Sequence, residues 1–292
     1  MIYPMKFDVI TTADQAYYPF IEIFINSTLE SNGSDIGSIY VVDGGLGKFR
    51  NKITAKPKVQ VIECPSEGDE ITQNGQYNGV HSDGWMATTS LKTRGLLQHL
   101  NQAEEGIPTL SIDSDVCVLG SLSGVVDTAY PIQFTTKHPN GQHVRPDGIH
   151  LTEIASFACF NDHAFSRRFV EEWIKAMRLL GELGTMRPHE TPAMNLLIQR
   201  SRAHYGFLDE DIVCADRKCL NDTRAIHFKS ATSSDHDPVE NFEHRIMNWT
   251  NQSSKNVDVF KYINETDYEA WKAEYRSVPK YRHYKILEPV GT

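Results

Sequence analysis

Cysteine is scarce and unpatterned in this chain. Cys64, Cys117, Cys159, Cys214 and Cys219 are the five present among 292 residues. Their number is odd and no Cys-x-x-Cys pair occurs, which excludes a thiolate zinc site and gives no disulfide framework. Cys117 and Cys159 sit in apolar runs and read as core thiols, so a reducing compartment is the simpler inference. Positive charge is also short. The 29 Lys and Arg face 38 Asp and Glu, a net charge of -9, and a nucleic-acid binder would normally show a basic balance or stripe. No apolar run approaches the roughly 18 residues of a membrane span. Met1 to Asp8 lacks a basic region followed by a long apolar one, so no signal peptide is read there and a cytoplasmic location is expected. Asn26-Ser27-Thr28 and Asn248-Trp249-Thr250 are then chance matches to a glycosylation triplet. No internal repeat and no low-complexity linker breaks the chain.

What is present is organised around one stretch, Ile107 to Leu119. It reads as a short apolar strand, an Asp113-Ser114-Asp115 interruption, and a second apolar run. Such apolar strands are usually buried. A carboxylate placed there is normally paired or bound to a metal, because burying it alone is costly. Side chains at i and i+2 of an extended segment point the same way. Asp113 and Asp115 can therefore face one cation while Ser114 turns away. Hard carboxylate oxygens suit Mg²⁺ or Mn²⁺, often together with phosphate oxygens. The plainer alternative is a strand end with solvated acids.

The length allows one large α/β domain. Phe7 to Thr12 reads as the first strand, followed by a loop with Asp14 and Tyr17 and a helix opened by Pro19 and stopped near Gly33. Ile39 to Asp43 and Val59 to Glu63 read as further strands. This alternation implies a mostly parallel sheet with helices on its faces, and ligands bind outside the carboxyl ends of such strands. Asp14, Asp43 and Asp113 to Asp115 all fall at such ends. Residues 65–84 and 137–150 read as polar loops, with a helix from Trp85 to Leu100 carrying Lys92 and Arg94. Gln133 to Thr136 and Ile154 to Asn161 read as strands, and Asn161 or Asp162 as the cap of the helix that follows. A helix opens at His189-Glu190-Thr191-Pro192. Asp211 to Cys214 and Ala225 to Phe228 read as late strands. After residue 230 the chain reads as polar to about 257, and it closes with a helix near Tyr268 and a basic stretch at 280–285. A catalytic domain over 1–245 and a helical or irregular extension over 246–292, packed on it, are expected.

The order of these pieces resembles the GT-A fold glycosyltransferases, most nearly glycosyltransferase family 8 and its relatives, over roughly residues 6–230. Ile10 to Tyr17 is similar to that family's opening strand and donor-base loop. Lys92 to Leu100 followed by Ile107 to Leu119 is similar to its helix and metal-binding Asp-x-Asp strand. Ser156 to Asn161 resembles its small-residue strand. Glu190-Thr191-Pro192-Ala193-Met194-Asn195 stands in the frame of its Asp-Gln-x-x-x-Asn, and Ile226-His227-Phe228 resembles the segment with its late histidine. The departures are Glu190 for the acid, Thr191 for the Gln, a missing Gly in the third motif, and Lys229-Ser230-Ala231 where Gly and Lys-Pro-Trp usually follow the histidine.

The resemblance implies a GT-A-like (Rossmann-like) sheet and a metal-dependent hexosyltransferase-type enzyme. Its donor would be a nucleotide-diphosphate sugar, and its acceptor a sugar or other hydroxyl on a glycan, lipid or protein. It implies a Mn²⁺ or Mg²⁺ ion on Asp113, Asp115 and His227. It sets Thr11, Asp14, Tyr17, Lys92, Ser114 and Lys229 around the donor, with Lys92 or Lys229 adding charge at the phosphates. Glu190, beside Thr191, would act as a general base or stabilise the oxocarbenium-like centre. Asp115→Ala is expected to abolish metal-dependent binding and leave the fold intact. Two rivals remain. A sugar-nucleotide pyrophosphorylase needs a Gly-rich basic loop after the first strand, where this chain has Thr11-Thr12-Ala13-Asp14. A binding protein of the same fold without turnover is the other.

Overall fold

The computed structural model describes residues 5–64, 83–182, 190–214, 221–228, 238–252 and 257–276. In chain order the elements are β1 (Phe7–Ala13), α1 (Tyr18–Asn32), β2 (Ile36–Asp43), α2 (Arg50–Thr54), β3 (Val59–Ile62), α3 (Asp83–Leu100), β4 (Thr109–Ile112), β5 (Val116–Val118), β6 (Ile132–Thr136), β7 (His143–Val144), β8 (His150–Leu151), β9 (Glu153–Phe160), α4 (His163–Glu182), α5 (Glu190–Arg200), β10 (Gly206–Asp209), α6 (Glu210–Val213), β11 (Ala225–His227), α7 (Pro238–Gln252) and α8 (Glu265–Arg276).

The main sheet has seven strands in the order β10-β6-β9-β4-β1-β2-β3. Every pair in it is parallel except the two made by β9, which runs against both β4 and β6. All residues of β1, β4 and β9 are buried, as expected of strands covered on both faces. Successive side chains feed opposite faces. Val9 and Ile39 join one core with α1, α7 and α8, whereas Ile10 and Val42 join a second core with α3, α4 and α5. Helix α3 comes unusually close to the sheet at Gly95, where a Cβ would collide with the Val42 side chain. Asp162 is the cap of α4, its Oδ1 accepting from Phe165 N at 2.8 Å, while Asn161 donates to the Asp127 and Tyr130 carbonyls instead.

Three expectations change. Asp211 to Val213 is helix α6 and not a strand; the strand lies just before it. Asp209 accepts from Asp211 N at 2.8 Å, and acids fill the first turn, which favours a helix start. Residues 137–150 are not wholly loop, since β7 and β8 pair as a small hairpin. The polar stretch after 230 contains α7, which buries Val239, Phe242, Ile246 and Trp249. Helix α7 passes through residue 245, where the sequence reading divides the chain, and both α7 and α8 feed the same core. Most of the 65–84 loop, Lys229, Cys219 and the 280–285 basic stretch lie outside the described residues. Among the described residues no helix is long and apolar enough to cross a membrane.

Candidate functional site

Asp113 follows the last residue of β4, and its N–H donates to Ser156 O on β9 at 2.9 Å. The chain then turns away from the main sheet and enters β5, which pairs antiparallel with β11. That register sets His227 opposite Val116, and Phe228 N donates to Asp115 O at 2.9 Å. The late histidine is thereby delivered to the two acids. His227 Nε2 lies 3.2 Å from Asp115 Oδ1 and 3.8 Å from Asp113 Oδ2. One ligand atom from each of Asp113, Asp115 and His227 falls within 4.8 Å of the other two. Two carboxylates and an imidazole at this spacing fit a divalent cation.

The electrostatics of the cluster follow from its burial. Burial works against the charged form of Asp115, but His227 and Arg245 outweigh it and hold the carboxyl well below the ordinary range. Burial alone would lower His227; the Asp115 carboxylate reverses this and raises it to about 10. A cation entering here competes with the imidazole proton, because a ligating histidine must be neutral.

A second group adjoins the first through Lys92. Its Nζ lies 2.5 Å from Asp113 Oδ1, 2.6 Å from Ala155 O and 3.5 Å from Glu190 Oε1. Burial opposes the Lys92 charge, yet Asp113 and Glu190 raise its pKa above the usual lysine range. Lys92, which the resemblance set near the donor phosphates, is a buried bridge between two carboxylates. Glu190 opens α5, with its carbonyl accepting from Trp173 Nε1 at 2.8 Å. Its Oε2 is buried without a hydrogen bond among the described residues. Burial pushes its carboxyl up to about 7, against the pull of Lys92. A helix N-terminus by itself favours an ionised acid, and desolvation overrides that effect here. Asn195, one turn on, is fully buried. It donates to the Glu153 and Thr191 carbonyls and accepts from Thr152 N and Glu153 N. This locks α5 against the start of β9 and fixes Glu190 and Thr191 in its first turn.

The remaining sequence-predicted residues divide. Asp14 Oδ1 caps the 3-10 turn Gln15–Tyr17 by accepting from Tyr17 N at 3.0 Å, and burial raises its pKa. Tyr17 reaches the acids through Arg245, whose Nη1 donates to its hydroxyl at 3.3 Å. Thr11 is buried within β1, its hydroxyl without a hydrogen bond among the described residues. Ser114 is buried between the two acids.

Arg245 is the residue that sequence reading missed. Its Nη2 pairs with Asp115 Oδ2 and its Nε donates to Phe228 O. The signal was legible: Val239, Phe242, Ile246 and Trp249 recur at helical spacing, and Arg245 falls on the same stripe as Phe242 and Trp249. A charged residue on a buried stripe is normally paired. The expectation that Asp115→Ala leaves the fold intact therefore changes. That variant strands the buried guanidinium, at a cost of about 3–5 kcal/mol.

Comparison by sequence finds no matching family model and no matching curated protein. Comparison by structure does find similar folds. The galactosyltransferase LgtC, solved with donor and acceptor sugar analogues, superposes with a TM-score of 0.55 at 13% identity, over 87% of this chain and 99% of that one. The fold is GT-A. An active-site mutant of LgtC gives a TM-score of 0.56 at 14% identity with the same coverage. The glycosyltransferase GlyE of Streptococcus pneumoniae TIGR4 gives 0.54 at 14% identity, over 91% of this chain and 64% of that one. Within the GT-A fold, the Asp113-x-Asp115 segment stands at the carboxyl end of a central strand, where the sequence reading expected it.

Proposed function

We propose that this chain is a metal-dependent glycosyltransferase that moves a sugar from a nucleoside-diphosphate-sugar donor to a hydroxyl acceptor. One observation carries the reading: Asp113, Asp115 and His227 converge within 4.8 Å at the strand ends of a GT-A fold. They would hold a divalent ion, with Mn²⁺ or Mg²⁺ as candidates for oxygen-rich ligation. When bound, such an ion supplies Lewis-acid stabilisation of the charge that builds on the departing diphosphate.

The chain's own residues would do the rest. Lys92 fixes Asp113 and Glu190 in one orientation by bridging them. Asp14 and Tyr17, in the loop after β1, would face the nucleoside, with Thr11 and Ser114 behind them and Lys229 adding charge at the phosphates. Glu190 would stand beside the anomeric carbon, with Thr191 next to it. With a pKa near 7, its carboxylate is matched to accepting a proton from the acceptor hydroxyl at neutral pH. The LgtC structure was obtained with donor and acceptor sugar analogues, which supports the same two classes of partner here.

Thr191 in place of the Gln of the resembled family favours a second reading, a protein that binds the donor without turning it over. A chromatographic assay of nucleotide-sugars incubated with the chain and Mn²⁺ separates the two. The first reading expects at least one donor to release its nucleoside diphosphate, with EDTA abolishing release. Donor binding with no release in any acceptor mixture would favour the second.

A further inference from the structure

Arg245 enters the cluster from α7, outside every motif that defines the site. Its guanidinium is enclosed on all the sides that the described residues supply. Nη2 meets Asp115 Oδ2, Nε meets Phe228 O, Nη1 meets Tyr17 OH at 3.3 Å, and the Phe20 ring centroid lies 4.6 Å away. The side chain is only 4% exposed.

Two features make this more than an internal strut. The first is charge balance. Asp113 and Asp115 offset a divalent ion, and Lys92 is paired with Glu190 as well as Asp113. Among the described residues of the cluster, Arg245 is then a positive charge beside the ion, sharing the Asp115 carboxylate with it. That arrangement is favourable only if an anion joins it. The second is position. Arg245 touches Tyr17, in the loop read as facing the nucleoside, and Asp115, in the cation cluster. A diphosphate that links a nucleoside to a metal-bound end must pass between these two residues. A guanidinium presents paired N–H groups that match phosphate oxygens better than an ammonium does.

We infer that Arg245 is a diphosphate-binding residue of this site. It holds Asp115 while the cation is absent, and it turns N–H groups to the phosphate oxygens when cation and diphosphate bind. This rests on the donor reading above.

The test is calorimetry with Mn²⁺ alone and then with inorganic pyrophosphate on the Mn²⁺-loaded protein, for the wild-type chain, Arg245→Met and Arg245→Lys, each with its melting temperature. Arg245→Met should bind Mn²⁺ alone at least as tightly as wild type, since a competing cation has left Asp115. It should lose pyrophosphate affinity by about 10-fold or more, the scale of lost charge-assisted hydrogen bonds. Arg245→Lys keeps the charge without the fork and should fall between the two; it decides the matter if Arg245→Met does not fold. Pyrophosphate affinity unchanged in the folded variants, or Mn²⁺ affinity lowered with no separate pyrophosphate loss, would overturn the inference and leave the donor reading standing. A wild-type chain that binds no pyrophosphate in the presence of Mn²⁺ would overturn both.

Discussion

Glu190 has one carboxylate oxygen against Lys92 and the other without a hydrogen bond among the described residues. A buried acid poised near pH 7 suits proton transfer better than a structural role, so its removal should affect turnover more than binding. Glu190→Gln is expected to retain donor affinity within a few-fold and to lose transfer by about 10²-fold or more. In the wild type, kcat should climb as pH rises through about 7, because the ionised carboxylate is the active form; Glu190→Gln should lack that limb. Near-normal transfer with a lowered melting temperature would remove Glu190 from the chemistry.

His99 makes a different prediction. It is buried, 3.1 Å from Thr109 Oγ1, and burial together with His163 lowers its pKa to about 4. The unfolded chain takes up a proton near pH 6.5 and the folded chain does not until about 4. The stability it contributes is therefore complete above about 6.5 and is lost as pH falls toward 4. His99→Gln should remove on the order of 2–3 kcal/mol of that acid sensitivity, measured as unfolding free energy against pH. Identical pH slopes for the two proteins would contradict this. At this scale Asp113 and Asp115 stand out as acids in an apolar run, whereas His227 was pointed to by the resemblance alone. The shifted pKa of Glu190 was not legible, because desolvation depends on what packs around the residue.

At the scale of elements, the close approach of α3 to the sheet sets the reach of Lys92. Gly95 lies one turn after Lys92 and abuts Val42. Gly95→Ala gains roughly 1 kcal/mol of helix propensity but overpacks the contact, which typically costs about 1–3 kcal/mol. The expected result is a net loss of stability in urea unfolding. A stabilised Gly95→Ala protein would show that α3 has room to spare. The strands were readable because their apolar runs are short and bounded by polar residues. Helix α7 escaped because its average polarity hid an apolar stripe, and α6 was taken for a strand because four residues carry no usable period. The antiparallel course of β9 left no mark in its own composition; it is a consequence of pairing.

For the whole molecule, the parallel strands bring Asp14, Asp43 and Asp113 to the carboxyl ends of β1, β2 and β4, and β11 brings His227 to Asp113 and Asp115 from more than a hundred residues away. We propose that residues 246–292 form the extension packed on the catalytic domain. Among the described contacts, Trp271 Nε1 donates to Gln15 O in the turn after β1 at 2.9 Å. Sequence order could suggest this convergence only through a resemblance, because the distances between segments arise from the register of strands far apart in the chain.

The central claim is a cation site that holds a nucleoside diphosphate. It is tested most directly by calorimetric titration of uridine, guanosine, adenosine and cytidine diphosphates into the chain with Mn²⁺ and with EDTA, repeated on Asp113→Asn. Asp113 is the more exposed of the two acids, so its neutral isostere should keep the fold. At least one diphosphate should bind in Mn²⁺ and weaken by about 10-fold or more in EDTA, the scale of losing charge-assisted contacts. Asp113→Asn in Mn²⁺ should then behave like wild type in EDTA. Equal affinity in Mn²⁺ and EDTA, or full Mn²⁺-dependent binding by Asp113→Asn, would contradict the account.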